Sequence, residues 1–228
     1  MFAISKREFL RLMKGIKSII IIAILLITAY FSAKFSSLLL TLDEFTASEA
    51  DIIHTAGFLV LLLFFGQLFV MGLSHDVMNR EMHDRTIRFL VTRTSRLSIV
   101  LGKFLGVSLF WFTCVAVSFL IVFFFSHSFD WLSFLQLMSL LIFQIALTIL
   151  LSVLIPKPGF TMFLGVIVGL ASPILGFWLT LTNNPWVSWL KFATPYYYLE
   201  EDYTFPIILV LAAVLLAVAH LVFQRREC

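Results

Sequence analysis

The sequence predicts an all-α integral membrane protein with six transmembrane helices, and two observations carry this prediction. Of the 228 residues, 61% are hydrophobic and only 13% are charged, whereas a soluble domain averages roughly 45–50% apolar and about 25% charged residues. Six stretches are also mostly apolar over about 20 residues, the length that a helix needs to cross a bilayer. So few charges could not cover a water-facing surface, so the predicted solvent is lipid.

The six spans belong to a single transmembrane domain, residues 1–228. They are predicted near residues 16–42, 52–73, 99–125, 131–155, 160–181 and 205–223. The first apolar run is too long for a cleaved signal peptide, and no A-x-A-like cleavage site follows it. We therefore expect the first span to be a retained helix.

Lysine and arginine residues predict the orientation, because they concentrate on the cytoplasmic side of membrane proteins. With the N-terminus inside, 14 of the 16 cations fall in cytoplasmic segments, and the exceptions are Lys34 and Lys191. The outer connections are acidic instead, as at Asp130 and Glu200. These observations predict a multi-pass protein of the cell membrane with both termini in the cytoplasm.

The N-terminal segment, residues 1–17, has the pattern of a basic amphipathic helix. Phe2 and Phe9 share one side of a helical wheel, and Arg7 and Arg11 lie on the other side. Such helices lie in the membrane interface and contact lipid. The alternative is a charged anchor that only sets the topology.

The longest cytoplasmic connection, residues 74–98, also contains an amphipathic pattern. Met82, Phe89 and Leu90 fall on one helical arc, while charged residues such as Arg88 fall on the opposite arc. The pattern predicts a cytoplasmic helix that is too short to span, and its apolar side needs a partner surface. The alternative is an interfacial helix that packs on its own protein.

The outer segment, residues 182–204, is rich in aromatic residues and is interrupted by Pro185 and Pro195. Tryptophan and tyrosine at this place are typical of an interfacial aromatic belt. The same segment is compatible with a short external helix or a re-entrant element that narrows an exit. The aromatic residues are Trp186, Trp189, Tyr196, Tyr197, Tyr198 and Tyr203.

Motifs for nucleotide binding and catalysis are missing from the sequence, so we expect neither an enzyme nor a bound cofactor. The sequence has no phosphate-binding G-x-x-x-x-G-K-[ST] run, no H-E-x-x-H and no G-x-S-x-G. Ser188 and Lys191 fit S-x-x-K but lack its companion motifs. The net charge of +3 is small, so nucleic acid is not an expected partner.

Metal binding and ion coupling are also disfavoured. The acidic and histidine residues between His75 and Asp84 alternate with arginines, which indicates a solvated, charge-mixed face rather than a metal site. No aspartate or glutamate lies near the middle of a predicted span. Because ion-coupled carriers usually need ionisable groups inside the membrane, this argues against a proton-driven or sodium-driven transporter.

Small residues and a proline mark the fifth span. Gly165 and Gly169 form a G-x-x-x-G pair, which permits close approach of two helices. Pro173 lacks a backbone donor and is predicted to form a hinge in the same helix. These residues are our candidates for a dimer face and a gate.

The order of these elements resembles the membrane subunit of a type-2 ABC exporter. That family has a basic elbow helix before the first span, a coupling helix between spans two and three, and a structured outer segment before span six. The likeness is specific only in the stretch from Glu81 to Phe104. This chain departs from the family at Arg85, where glycine is frequent, and at Arg88, where glutamate is frequent. The matching residues are Glu81, Arg85-Thr86-Ile87-Arg88, Phe89-Leu90, Thr92 to Arg96 and Gly102-Lys103-Phe104.

The resemblance implies partners and a mechanism. A cytoplasmic ATPase subunit, which would bind ATP and Mg²⁺, is expected to dock below two membrane subunits, the second being a copy or a paralogue of this chain. The expected cargo is hydrophobic or amphipathic, such as a peptide or a lipid-like molecule. Two alternatives remain: a membrane sensor or immunity protein without net transport, and an intramembrane enzyme. The residues implied to contact the ATPase are Glu81, Arg85, Arg88, Phe89 and Leu90.

Overall fold

The computed structural model describes residues 1–39, 47–84, 92, 94–182, 184, 186–201 and 203–225. In this part of the chain all regular structure is helical. Two short 3₁₀ helices, Ser188–Ala193 and Tyr196–Leu199, precede the last long helix. The α-helices are α1 (Phe2–Lys14), α2 (Ile16–Leu39), α3 (Ala47–Ser74), α4 (Asn79–His83), α5 (Arg96–Ser126), α6 (Trp131–Leu154), α7 (Pro158–Leu181) and α8 (Pro206–Arg225).

Six of these helices, α2, α3, α5, α6, α7 and α8, are long enough and apolar enough to cross a membrane. This confirms the all-helical class and the predicted number of apolar helices. The observed bounds differ from the predicted ones by a few residues: α3 begins at Ala47 rather than 52, and α5 begins at Arg96 rather than 99. Polar residues at these ends continue the backbone hydrogen bonding of the helix, which hydropathy does not register.

Local capping explains where two of the helices begin. The backbone N–H of Ser98 donates to Ser95 Oγ at 3.3 Å before α5, and that of Ser133 donates to Asp130 Oδ1 at 3.0 Å in the first turn of α6. Such side-chain acceptors satisfy amide donors that the first helical turn leaves unpaired. The turn between α5 and α6 closes at His127, whose φ of 57° is left-handed and whose N–H donates to the Phe123 carbonyl.

The long helices run alternately up and down, so the connections gather at two ends of the bundle. The basic end carries α1 and α4, and the aromatic end carries residues 186–201. At the basic end, Arg96 Nη1 donates to the Phe223 carbonyl at 3.0 Å and also to that of Gln224. A cation on the last carbonyls of a helix is favourable, and this contact fixes the end of α8 beside the start of α5.

The centre of the bundle is α6, which packs against α3, α5 and α8. In the most apolar part of α6, 67% of the residues are buried, compared with 22% in the corresponding parts of α2 and α8. The peripheral helices expose large apolar side chains instead, among them Ile20, Phe124 and Ile174. Contiguous apolar surface of this kind is unusual for a protein in water and is suited to contact with lipid.

Candidate functional site

A buried cluster of charges lies at the basic end of the bundle and is centred on Lys103. This side chain is fully buried, and its Nζ lies 2.9 Å from Glu81 Oε2 and 3.5 Å from Glu8 Oε1. The same Nζ donates to the backbone carbonyl of Val77. Glu8 and Glu81 are also buried. One lysine of α5 therefore joins α1 to α4 and to the turn between α3 and α4.

Two glycines of α5 allow α1 to lie close enough for this cluster to form. A Cβ at Gly106 would lie 2.7 Å from both Glu8 Cβ and the Ser5 carbonyl, and one at Gly102 would lie 3.1 Å from the Met1 carbonyl. Side-chain bulk at either position would push α1 away from α5. This G-x-x-x-G pair therefore packs the N-terminal helix.

The buried face of α1 overlaps the predicted apolar face only in part: Leu12 is in the core and Phe9 is partly buried against it. Ser5, Glu8 and Leu12 are the buried residues of α1. Phe2 is 81% exposed, so this end of α1 keeps an exposed apolar side chain. The position of α1 in the membrane interface stays a prediction.

Further ion pairs extend the cluster toward the surface. Arg11 Nη2 lies 3.2 Å from Glu8 Oε2 and 3.7 Å from Asp76 Oδ1, and Arg80 Nη1 lies 3.5 Å from Asp76 Oδ2. Removing two charges from water is costly unless each is paired and hydrogen-bonded. Both buried carboxylates lie within 3.5 Å of a cation, so the cluster is a structural joint between α1, α4 and α5.

A second set of hydrogen bonds ties the start of α4 to α6 and α7. The backbone N–H groups of Met78 and Asn79 donate to Ser152 Oγ at 3.0 and 3.2 Å. Asn79 Nδ2 donates to the Ile155 carbonyl at 3.2 Å and to Thr161 Oγ1 at 2.6 Å. We call residues 77–81 with these partners the α4 junction, because it bonds the chain after α3 to three further long helices.

The predicted ATPase-contacting residues meet this junction at Glu81. Glu81 is 9% exposed and its carboxylate faces Lys103, so its ion pair is internal to the chain, and contact with a partner stays a prediction. The other four predicted residues, Arg85, Arg88, Phe89 and Leu90, lie outside the residues that the structure describes.

Lys103 is a functional candidate that sequence reasoning missed. We grouped it with the cations of the cytoplasmic connection, whereas the structure places it in the second turn of α5, fully buried. A signal was present in the sequence: a lysine inside an otherwise apolar span requires a partner. The glutamates that provide it are distant in sequence, which is why the pairing was not visible.

The glycines of the fifth span are both buried and both pack against α3. A Cβ at Gly165 would lie 3.1 Å from Met71 Sδ, and one at Gly169 would lie 3.0 Å from Leu68 Cα. Close approach through this G-x-x-x-G pair therefore occurs within one chain. A face between two subunits at these glycines stays a prediction.

Pro173 lies inside α7, which continues past it to Leu181. Three residues further on, a Cβ at Gly176 would overlap the ring of Tyr196, which packs directly on this glycine. Tyr196 is 6% exposed, and its ring centroid lies 5.4 Å from that of Phe177, with the two ring planes tilted by 45°. The aromatic segment is therefore locked onto α7 close to the proline, whereas a gating movement there stays a prediction.

The phenol of Tyr196 is held in its neutral form. Burial raises the pKa of Tyr196 above its ordinary value, and interactions with Ser172 and Gln144 lower it by less. A neutral phenol can both donate and accept a hydrogen bond. This residue brings the aromatic segment to polar side chains of α6 and α7 inside the bundle.

No three histidine, cysteine, aspartate or glutamate side chains come together as a metal site in the part of the chain that the structure describes. Comparison of the sequence with protein-family models and with curated proteins found no match.

Proposed function

We propose that this chain is the membrane subunit of an ATP-driven exporter of the type-2 ABC class. It works with a cytoplasmic ATPase subunit and a second membrane subunit, either a copy or a paralogue, and moves a hydrophobic or amphipathic cargo out of the cell. The chain itself binds no nucleotide; ATP and Mg²⁺ are bound by the ATPase. The α4 junction is the observation that carries the proposal.

Such a subunit must transmit movement from a protein below the membrane to several spans at once. Residues 77–81 are bonded to α5 through Lys103, to α6 through Ser152 and to α7 through Thr161. Because packed helices with satisfied polar contacts move as bodies rather than deform, a push on the chain after α4 would shift all three helices. A plain loop would need no such bonds.

The charge distribution supports a cytoplasmic position for the basic end. Of the 16 lysine and arginine residues, 14 fall on that side in the predicted topology. An ATPase docked there would lie directly below the α4 junction. Residues 85–91 follow the junction, and in the proposal they bind a groove of the ATPase.

In the proposal, the cargo leaves the protein at the aromatic end. Pro173 removes one helical hydrogen bond from α7, and the Tyr196 ring closes on Gly176 one turn further along. A shift of α7 that begins at Thr161, at the basic end of this helix, would therefore displace Gly176 relative to Tyr196. In the proposal, release of Tyr196 from Gly176 opens the path for cargo.

The test is co-expression with candidate ATPases, followed by measurement of ATP hydrolysis and transport on the purified complex. Thr161→Val removes the hydroxyl that bonds Asn79 while keeping the side-chain shape. Thr113→Val is the matched control, since Thr113 Oγ1 donates only to the Leu109 carbonyl of its own helix. We expect Thr161→Val to keep ATP hydrolysis and lower transport per ATP about tenfold, and Thr113→Val to keep both.

Two results would contradict the proposal. Failure of every tested ATPase to co-purify with the folded chain would remove the partner on which it depends. Co-purification with ATP hydrolysis but without export of any cargo would favour the sensor or immunity alternative instead.

A further inference from the structure

A partly open cavity of about 330 Å³ lies between α3, α6, α7 and the segment that ends at Tyr196. This volume falls in the range of small-molecule sites, which run from roughly 300 to 1,000 Å³. Most of its wall is apolar, and no charged side chain lines it among the described residues. Its polar lining residues are Gln67, Gln144, Ser172, Thr194 and Tyr196.

Two of these polar groups lack a hydrogen-bond partner. Gln144 is 2% exposed, yet neither its Oε1 nor its Nε2 is hydrogen-bonded, and Ser172 Oγ is also unsatisfied. Both side chains lie close enough to the Tyr196 hydroxyl to influence its pKa, but no hydrogen bond of regular geometry joins them. Gln67 differs, because its Nε2 donates to Thr148 Oγ1 at 3.3 Å.

An unsatisfied amide inside a membrane bundle is costly, and buried polar groups are almost always paired. Packing cannot explain Gln144, because a leucine would fill a similar volume without this cost. A ligand with its own donor and acceptor would satisfy both Gln144 and Ser172. The apolar remainder of the wall would hold the ligand's hydrocarbon part.

We propose that this cavity is a binding site for a neutral amphipathic molecule, with an amide or hydroxyl head at Gln144 and Ser172 and a short acyl body along α7. A charged head is disfavoured because the lining offers it no counter-ion. A purely apolar acyl chain is disfavoured because it would leave the amide and the hydroxyl unpaired. Binding requires this chain alone; only the identification of the ligand as a cargo rests on the proposed export function.

The experiment uses the full chain in lipid nanodiscs without any ATPase. The probe is N-(2-hydroxyethyl)decanamide with a diazirine on its acyl chain, and labelled residues are mapped by mass spectrometry after irradiation. Competitors are the unlabelled neutral amide, decanoate and decyltrimethylammonium. We expect labelling at cavity residues such as Phe143 and the buried Leu179, and we expect the neutral amide to compete at least about tenfold better than either ion.

Two pairs of variants make the result specific. Gln144→Leu removes the amide from the cavity, and Gln136→Leu removes an amide of the same helix that does not line it. Ala171→Phe fills the cavity, and Ile174→Phe adds the same ring where the side chain is 66% exposed. We expect Gln144→Leu to weaken probe binding about tenfold, the worth of one to two hydrogen bonds, and Ala171→Phe to abolish cavity labelling, with both controls unchanged.

Folding of all four variants is checked by gel filtration and thermal midpoint. If Gln144→Leu misfolds, the comparison of Ala171→Phe with Ile174→Phe tests the proposal instead. Labelling spread over lipid-facing residues, equal competition by the ions, or equal binding by Gln144→Leu and Gln136→Leu would overturn the proposal and indicate that water alone fills the cavity. The result is independent of ATPase co-purification, so failure of the export proposal and failure of this site are distinguishable.

Discussion

The two polar regions of this apolar bundle differ in the charge and in the pairing of their buried polar groups. At the basic end, the buried charges of Lys103, Glu8 and Glu81 all lie within ion-pair distance of an opposite charge. In the cavity toward the aromatic end, no charged residue lines the wall among those that the structure describes, and side-chain polar atoms of Gln144 and Ser172 are left without a hydrogen bond.

This difference in pairing indicates that the first region is a structural contact and the second a ligand-binding site. Paired ions in a low-dielectric interior are hard to separate, because parting them exposes an uncompensated charge. Unsatisfied neutral groups carry a smaller cost that a ligand can remove. We infer that the first region fixes helices to one another, and that the second is kept open for a molecule that the chain does not itself contain.

The largest expected effect comes from breaking the charge cluster. Lys103→Met keeps most of the side-chain volume but removes the cation that faces Glu81, while Glu8 keeps only Arg11 at 3.2 Å. We expect the free energy of unfolding to fall by about 3–5 kcal/mol, as for other buried pairs that lose one partner. Thermal denaturation in detergent measures this, with the exposed Lys157→Met as the control.

The combination of Lys103→Met with Glu8→Gln and Glu81→Gln sharpens this test. Because all three buried charges are then gone, most of the lost stability should return. If Lys103→Met alone denatures at the temperature of the wild-type chain, the cluster is not a structural joint and does not differ from the cavity in this respect.

A smaller effect is expected from pushing α1 away from α5. Gly106→Ala places a Cβ 2.7 Å from the Ser5 carbonyl, and overpacking of this kind costs about 1–3 kcal/mol. Gly72→Ala is the matched control, because a Cβ at this helical glycine meets nothing within 4 Å; alanine there is expected to stabilise α3 by about 0.5–1 kcal/mol.

The readout for this pair is thermal midpoint together with disulfide trapping between cysteines introduced into α1 and α5. We expect Gly106→Ala to slow trapping and Gly72→Ala to leave it unchanged. Equal behaviour of the two alanine variants would show that α1 is not held by the close approach at Gly106.

The smallest effect on the free energy of unfolding is expected in the cavity, and there the substitution should stabilise the protein rather than destabilise it. Gln144→Leu replaces an unsatisfied amide by an apolar group of similar size, so stability should be unchanged or should rise by about 0–1 kcal/mol. The same thermal denaturation measures it, with Gln136→Leu as the control. A loss comparable to that of Lys103→Met would mean that Gln144 is a structural residue and not part of an open site.

Much of the fold followed from the sequence, because a lipid environment restricts the choices. An apolar stretch of about 20 residues must form a helix there, since only a helix satisfies its own backbone hydrogen bonds. For this reason the six apolar helices were predictable. The short α1 was predicted from its basic amphipathic pattern, and the aromatic segment from its tryptophan and tyrosine residues. The partners of single residues were not, because average hydropathy gives one lysine or glutamine little weight.

The sequence by itself determined how many apolar helices this protein has and where its charges concentrate, since both follow from local composition and from the cost of exposing backbone polar groups to lipid. Only the tertiary structure decided which faces meet. It turned Gly102 and Gly106 toward α1, Gly165 and Gly169 toward α3, and Lys103 toward two glutamates from other helices. These contacts depend on the rotation and depth of each helix, which packing of the whole bundle sets and no single segment encodes.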